Sequence, residues 1–175
     1  MKNLVVVIAF LMASTVSFAQ GAFDKFEDKE GVASVIVNKK MFEMMSKVKV
    51  DAKDKEMQQY MNLLRKLDNL KVFTTSNAKI SAYMKATVNS YLKSNPLEEL
   101  MRVNGDGKNV KIYVKSGATS DIVKELLMFV EGSNIKDAGT VVLSLTGNFS
   151  LDEISMLTEK MNLPGGDDLK KASKK

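Results

Sequence analysis

The sequence predicts an α+β fold, a mostly antiparallel sheet with helices packed on one face. Three observations carry this. Apolar residues recur at helical spacings of three and four mainly in the first half of the chain. Alternating and β-branched runs dominate the second half. Turn-forming residues join two of those later runs directly, as in a hairpin. Helices early and a meander late are the pattern of an α+β domain.

Gly31 opens a β-branched strand over residues 32–37, and Asn38 has the side chain to cap a helix started just after it. Met41, Phe42, Met45 and Val48 then share one helical face. Residues 50–53 break that pattern, and a second helix starts at about Asp54. It has Met57, Tyr60, Met61, Leu64 and Leu67 on one side and Lys55, Gln59 and Lys66 on the other. A short strand covers residues 70–74. Ser76 or Asn77 caps a third helix, with Ile80, Tyr83, Met84, Val88, Tyr91 and Leu92 as its stripe. Asn95-Pro96 ends it, because the residue before proline is pushed out of helical geometry.

Residues 97–103 and 109–115 are strands joined by the turn Asn104-Gly105-Asp106-Gly107-Lys108. Residues 120–131 satisfy both periods. A strand over 125–131, after one helical turn at most, is the expectation, because the clear strand at 140–145 would complete a hairpin. Ser150 and Glu153 form a capping box before a helix marked by Ile154, Leu157 and Met161, which Pro164-Gly165-Gly166 closes. Leu127, Phe129 and Val142 put apolar side chains on the second face of the sheet. That face is therefore either partly covered or an interaction surface.

The N-terminus predicts export. Lys2 precedes an uncharged apolar run over residues 4–13, too short for the ~20 residues of a transmembrane helix. Ser17-Phe18-Ala19 then supplies small side chains at the two positions that signal peptidase reads. Residues 1–19 are the expected signal peptide, cut between Ala19 and Gln20. Residues 20–30 form a lead-in arm that docks through Phe23 and Phe26. Residues 31–163 form one α+β domain, and residues 164–175 a charged tail. No later run reaches spanning length, so no transmembrane segment is expected in the mature chain. Without Lys2 the chain keeps 25 basic and 21 acidic side chains, 25 − 21 = +4, much of it in Lys170, Lys171, Lys174 and Lys175. A solvated tail explains that cluster, and nucleic acid is not an expected partner, since no basic stripe is interleaved with aromatics.

Enzyme chemistry finds little support. The chain has no histidine and no cysteine. This removes Ser-His-Asp and Cys-His arrangements, most zinc and copper sites, and the usual base at neutral pH. The turn at 104–109 resembles a calcium loop only superficially: Lys108 takes a ligand position, Asn109 the glycine position and Lys115 the closing glutamate position. Glu98 and Glu99 would point to opposite faces of a strand, so they cannot flank one bond. A serine-lysine pair has no signature spacing. Met41, Met44, Met45, Met57, Met61, Met84, Met128 and Met161 fall mostly on apolar faces and read as core filling, with a copper(I) site or a pliable groove as the weaker alternative. No catalytic, cofactor-binding or metal-ligating residue is expected, and no cofactor.

Several segments together resemble a known family. They are Gly31-Val32 with Val35-Ile36-Val37-Asn38-Lys39-Lys40-Met41-Phe42, and Leu70-Lys71-Val72-Phe73-Thr74-Thr75. Glu98-Glu99-Leu100-Met101-Arg102-Val103, Lys108-Asn109-Val110-Lys111-Ile112-Tyr113-Val114 and Val142-Leu143-Ser144-Leu145-Thr146-Gly147 complete the set. The chain is similar along nearly all of its mature length to the domain-of-unknown-function family numbered 4252, small exported proteins of the Bacteroidota. The resemblance implies a periplasmic or outer-envelope protein and carries over no catalytic or binding residue. It also implies genes near extracytoplasmic-function sigma factor systems, which fits an envelope-stress role.

A non-enzymatic periplasmic or envelope binding module is the leading expectation. Its partner would be an unknown envelope protein or a small apolar ligand. The rivals are a hydrolase built from Ser, Lys and carboxylate groups, which needs a tight pocket uniting them, and a carrier, which needs an apolar cavity between sheet and helices.

Overall fold

The computed structural model describes residues 21–161 apart from 52, 106, 120 and 133–138. The expected export segment 1–19, its cut between Ala19 and Gln20, and the tail at 164–175 lie outside the described residues. A 3-10 turn at Asp24–Phe26 is followed by β1 (Ala33–Asn38), α1 (Lys39–Met45), α2 (Lys55–Leu64), β2 (Leu67–Thr75) and α3 (Ala78–Ser94). The strands β3 (Glu98–Gly105), β4 (Lys108–Ser116), β5 (Ile122–Gly132) and β6 (Thr140–Ser150) and the helix α4 (Leu151–Lys160) complete the order. The expected sequence of strands and helices is the observed one.

Side-chain caps start the helices, each accepting from a backbone amide that would otherwise lack a partner. Asn38 accepts from the Met41 amide at 3.0 Å, Asp54 from Met57 at 2.9 Å, and Asn77 from Lys79 at 2.9 Å and Ile80 at 3.2 Å. The Ser150–Glu153 capping box forms: the Glu153 carboxylate accepts from the Ser150 amide at 2.9 Å, and the Ser150 hydroxyl accepts from the Glu153 amide at 3.4 Å.

All six strands join one antiparallel sheet in the order β1-β2-β6-β5-β4-β3. The last four strands form a meander, and β2 then pairs with the free side of β6. Several boundaries differ from expectation, among them the end of α1 at Met45, which leaves Val48 outside the helix. Leu67 leaves the α2 stripe and starts β2 opposite Gly147, where the missing Cβ lets the Lys66 carbonyl come close and accept from the Asn148 amide at 2.8 Å. β5 begins at Ile122, with no helical turn before it among the described residues. A register shift between Val123 and Glu125 lets the strand keep pairing to its end. β6 runs on to Ser150 rather than stopping at 145.

The α+β class and the antiparallel sheet hold, but the helices do not share one face. α1, α2 and α4 pack on the face that carries Leu126, Met128, Val130, Val141, Leu143 and Leu145. α3 and the 3-10 turn pack on the other, against Phe73, Leu127, Phe129 and Val142. The reason is alternation. Strands β5 and β6 are apolar at both parities, so each face of the sheet centre needs its own cover. Phe23 and Phe26 supply part of it: both are fully buried, with Phe23 5.2 Å from the Tyr91 ring and Phe26 5.9 Å from Phe73 and 5.3 Å from Tyr83. The apolar second face is therefore interior, not an open interaction surface.

Candidate functional site

Two recesses and one strand edge stand out on the described surface. The larger recess, about 600 Å³, opens between α2 and α4 and is lined by Gln59, Asn62, Lys66, Asp152, Glu153 and Met156. Here the structure unites a serine, a lysine and a carboxylate. The Lys66 ammonium lies 2.6 Å from Glu153 Oε1, and the Ser150 hydroxyl lies 3.4 Å from Glu153 Oε2. The arrangement is nonetheless structural. Burial pushes the Glu153 carboxyl up, but hydrogen bonds from Lys66 and Ser150 outweigh burial and leave it below the usual range. A carboxylate held ionised in this way is a poor general base, and its oxygens are engaged by the helix cap and the lysine.

The smaller recess, about 260 Å³, lies between the arm and α3, with Lys25, Thr87, Ser90, Tyr91 and Asn95 in its wall. Beneath it the Tyr91 hydroxyl donates to Glu125 Oε1 at 2.5 Å. Burial pushes the Glu125 carboxyl up, against the opposing pull of Tyr91 and Lys115. Burial, with the neighbouring carboxylate, also pushes the Tyr91 phenol up. The pair lets an acid on the central strand sit under a helix. The Lys25 ammonium is over the Tyr83 ring at 4.6 Å, so the cation of this recess is directed at an aromatic face.

The other sequence candidates sit apart from these recesses. Gly105 pairs with Lys108 across the β3–β4 hairpin, and Gly107 adopts φ 72°, which a glycine accepts without strain. Glu99 accepts both Nε and Nη2 of Arg102 at 2.9 and 2.6 Å. That guanidinium holds the Glu99 carboxyl below its usual range, while Glu98 is exposed opposite Val114. Among the described residues no group of three or more acidic, His or Cys side chains is placed to hold a metal. Met61, Met84 and Met128 are core, as expected.

Met41 and Met44 are not. They are exposed at 49 and 57%, with Val48 at 61% and Val35 on the neighbouring strand at 51%. Only Phe42 of α1 is fully buried, and Met45 is partly so. Sequence periodicity missed this surface because it placed Met41, Phe42, Met45 and Val48 on one inward face. The signal was present: apolar residues at 41, 42, 44 and 45 in a seven-residue helix span more arc than one core contact can cover. Beside them β1 forms the edge of the sheet. It carries no charge, no proline and no register shift against β2. Such an edge presents unpaired backbone donors and acceptors to an incoming strand.

Among the described residues no helix is long and apolar enough to cross a membrane. No curated protein and no solved structure matches the chain. The family model described as a domain of unknown function, DUF4252, matches residues 26–157, from the buried Phe26 to the buried Leu157 of α4, and the chain belongs to that family.

Proposed function

We propose that this protein is an exported interaction module of the cell envelope that works by binding a partner along the β1 edge, not by catalysis. One observation carries the proposal: the unguarded edge strand β1 lies beside the exposed apolar side chains Val35, Met41, Met44 and Val48. Backbone pairing to the edge would supply affinity, and the apolar row beside it would supply selectivity. Export rests on the apolar run at 4–13 and the Ser17-Phe18-Ala19 junction ahead of Gln20. The carrier reading draws less support, since both recesses have charged and polar side chains in their walls. The hydrolase reading rests on the Ser150–Glu153–Lys66 group, where the carboxylate is the wrong kind of base.

The test is capture from an envelope extract by the tagged chain, expressed from Met1 so that the cell processes it. A partner retained by the wild type and lost with Val35→Lys or Met44→Lys is the expected result. Equal capture by all three chains would remove the edge as the binding surface, and a chain found in the cytosol with Met1 intact would remove the envelope.

A further inference from the structure

We infer that the partner along β1 is a second copy of this chain, paired antiparallel about a twofold axis at Val35, which makes one continuous twelve-stranded sheet from two six-stranded ones. This rests on the edge-docking function proposed above and adds the identity of the occupant.

The first ground is self-complementarity of charge. The turn leading into β1 carries Asp28 and Glu30, and the helix leaving it starts with Lys39 and Lys40. The lysine between those two acids is directed elsewhere, its ammonium 5.9 Å from the Tyr83 ring. An antiparallel self-pairing sets the start of one β1 against the end of the other. The acidic turn of each copy then meets the basic helix start of its mate, twice over by symmetry. Lys39 lies 2.9 Å from Asp68 and Lys40 only 4.0 Å from Glu43, both largely exposed, so Lys40 has the looser partner to exchange.

The second ground is register. Directly opposed residues of an antiparallel pair either exchange both backbone bonds or exchange neither. Alternate residues of β1 already face β2. Opposed residues in a self-pairing must therefore have the same parity, and the axis falls on a residue, not between two. With Val35 on the axis, Ser34 opposes Ile36 and Ala33 opposes Val37, which uses nearly all of β1. Moving the axis to Ile36 would place Ala33 against Lys39, already in α1. The Val35 axis also puts the two exposed valines side by side on the face of Val37 and Phe42, and the Met41, Met44 and Val48 rows flank them. Nothing in β1 opposes this: an edge that must stay single carries charges, proline or a bulge, and this one has none.

The chain has no cysteine, so single cysteines report the register. Opposed residues lie about 4.5–5.5 Å apart between Cα atoms, inside the disulfide range of about 4.4–6.8 Å. Expressed from Met1 and purified, the wild type is expected to sediment as a dimer across a concentration series. Val35→Cys should cross-link to itself under mild oxidation. Ser34→Cys and Ile36→Cys should cross-link when mixed but not alone. Val35→Lys should sediment as a monomer while keeping its circular dichroism and melting transition. Glu30→Lys or Lys40→Glu should each weaken association roughly threefold to tenfold, and the double variant should restore it. A wild type that is monomeric throughout, or self-cross-linking of Ile36→Cys in place of Val35→Cys, overturns the proposal. A monomeric wild type that still captures a different envelope protein through Val35 overturns the second copy alone and leaves the edge-docking function standing.

Discussion

The two edges of this sheet are built to opposite rules. β3 at one end carries Glu98, Glu99 and Arg102, has a register shift between Glu99 and Met101, and ties Glu99 to Arg102 by a two-point ion pair. Each device makes the strand harder to extend. β1 at the other end is six uncharged residues in unbroken register with β2. Both are edges of the same sheet, with the same backbone groups to offer, so the difference lies in side chains. This contrast supports the proposal that the bare edge is the one that pairs.

The largest effect should come from removing the guard. Glu99→Val with Arg102→Val gives each chain two pairing edges in place of one. A closed twofold contact consumes a single edge and stops, whereas two usable edges have no stopping point. The double variant is expected to form open-ended polymers, seen as light scattering that rises with concentration. If it keeps the size distribution of the wild type, the Glu99–Arg102 pair is not what protects β3, and Glu98 and the bulge must serve.

Next is the support behind the bare edge. Phe26 is fully buried against Phe73 of β2 and Tyr83 of α3, and the Ser34 hydroxyl of β1 donates to the Glu27 carbonyl at 3.0 Å. The arm thus holds the β1 end of the sheet from one face. Phe26→Ala should cost about 3–5 kcal/mol by denaturant titration. Amide exchange should speed up first in β1 and the arm, while β3 and β4 keep their protection relative to global unfolding. Uniform acceleration across all strands would mean that the arm stabilises the whole domain and not that end.

The order of elements was legible because the local signals agree: Asn38, Asp54, Asn77 and the Ser150–Glu153 box each cap the start of a helix. The layering was not. Leu127 and Phe129 announced a second apolar face, but no local pattern says that α3, placed between two strand segments, crosses to the side opposite α1 and α2. Glu125 was hidden for a similar reason, since its partner Tyr91 is 34 residues away and looked like one more member of a helical stripe. The bare edge was half legible. The strand 32–37 was recognised, but that it lies outermost depends on β2 pairing with β6, which periodicity cannot show.

The smallest effect separates stability from association. Glu125 and Tyr91 lie mid-sheet, on β5 and α3, away from both edges. Tyr91→Phe removes the hydrogen bond to a buried carboxylate and should cost about 1–3 kcal/mol near neutral pH. The pH dependence has a definite sign. Burial raises the folded-state pKa of Glu125 above its ordinary value of 4.5. Above that value the unfolded chain releases the proton while the folded chain retains it, so the folded state binds more protons and stability falls as pH rises. The contribution is fully present below the unfolded pKa and is lost as pH climbs through the folded one. Glu125→Gln keeps an acceptor for the Tyr91 hydroxyl without a titrating proton. It should match the wild type in acid, exceed it at neutral pH, and flatten the slope between. Neither substitution should change the sedimentation of the folded chain, because neither touches β1. A Glu125→Gln chain with the wild-type slope would move the titration to another group, and one that also dissociates would mean that the sheet centre and its bare edge are coupled.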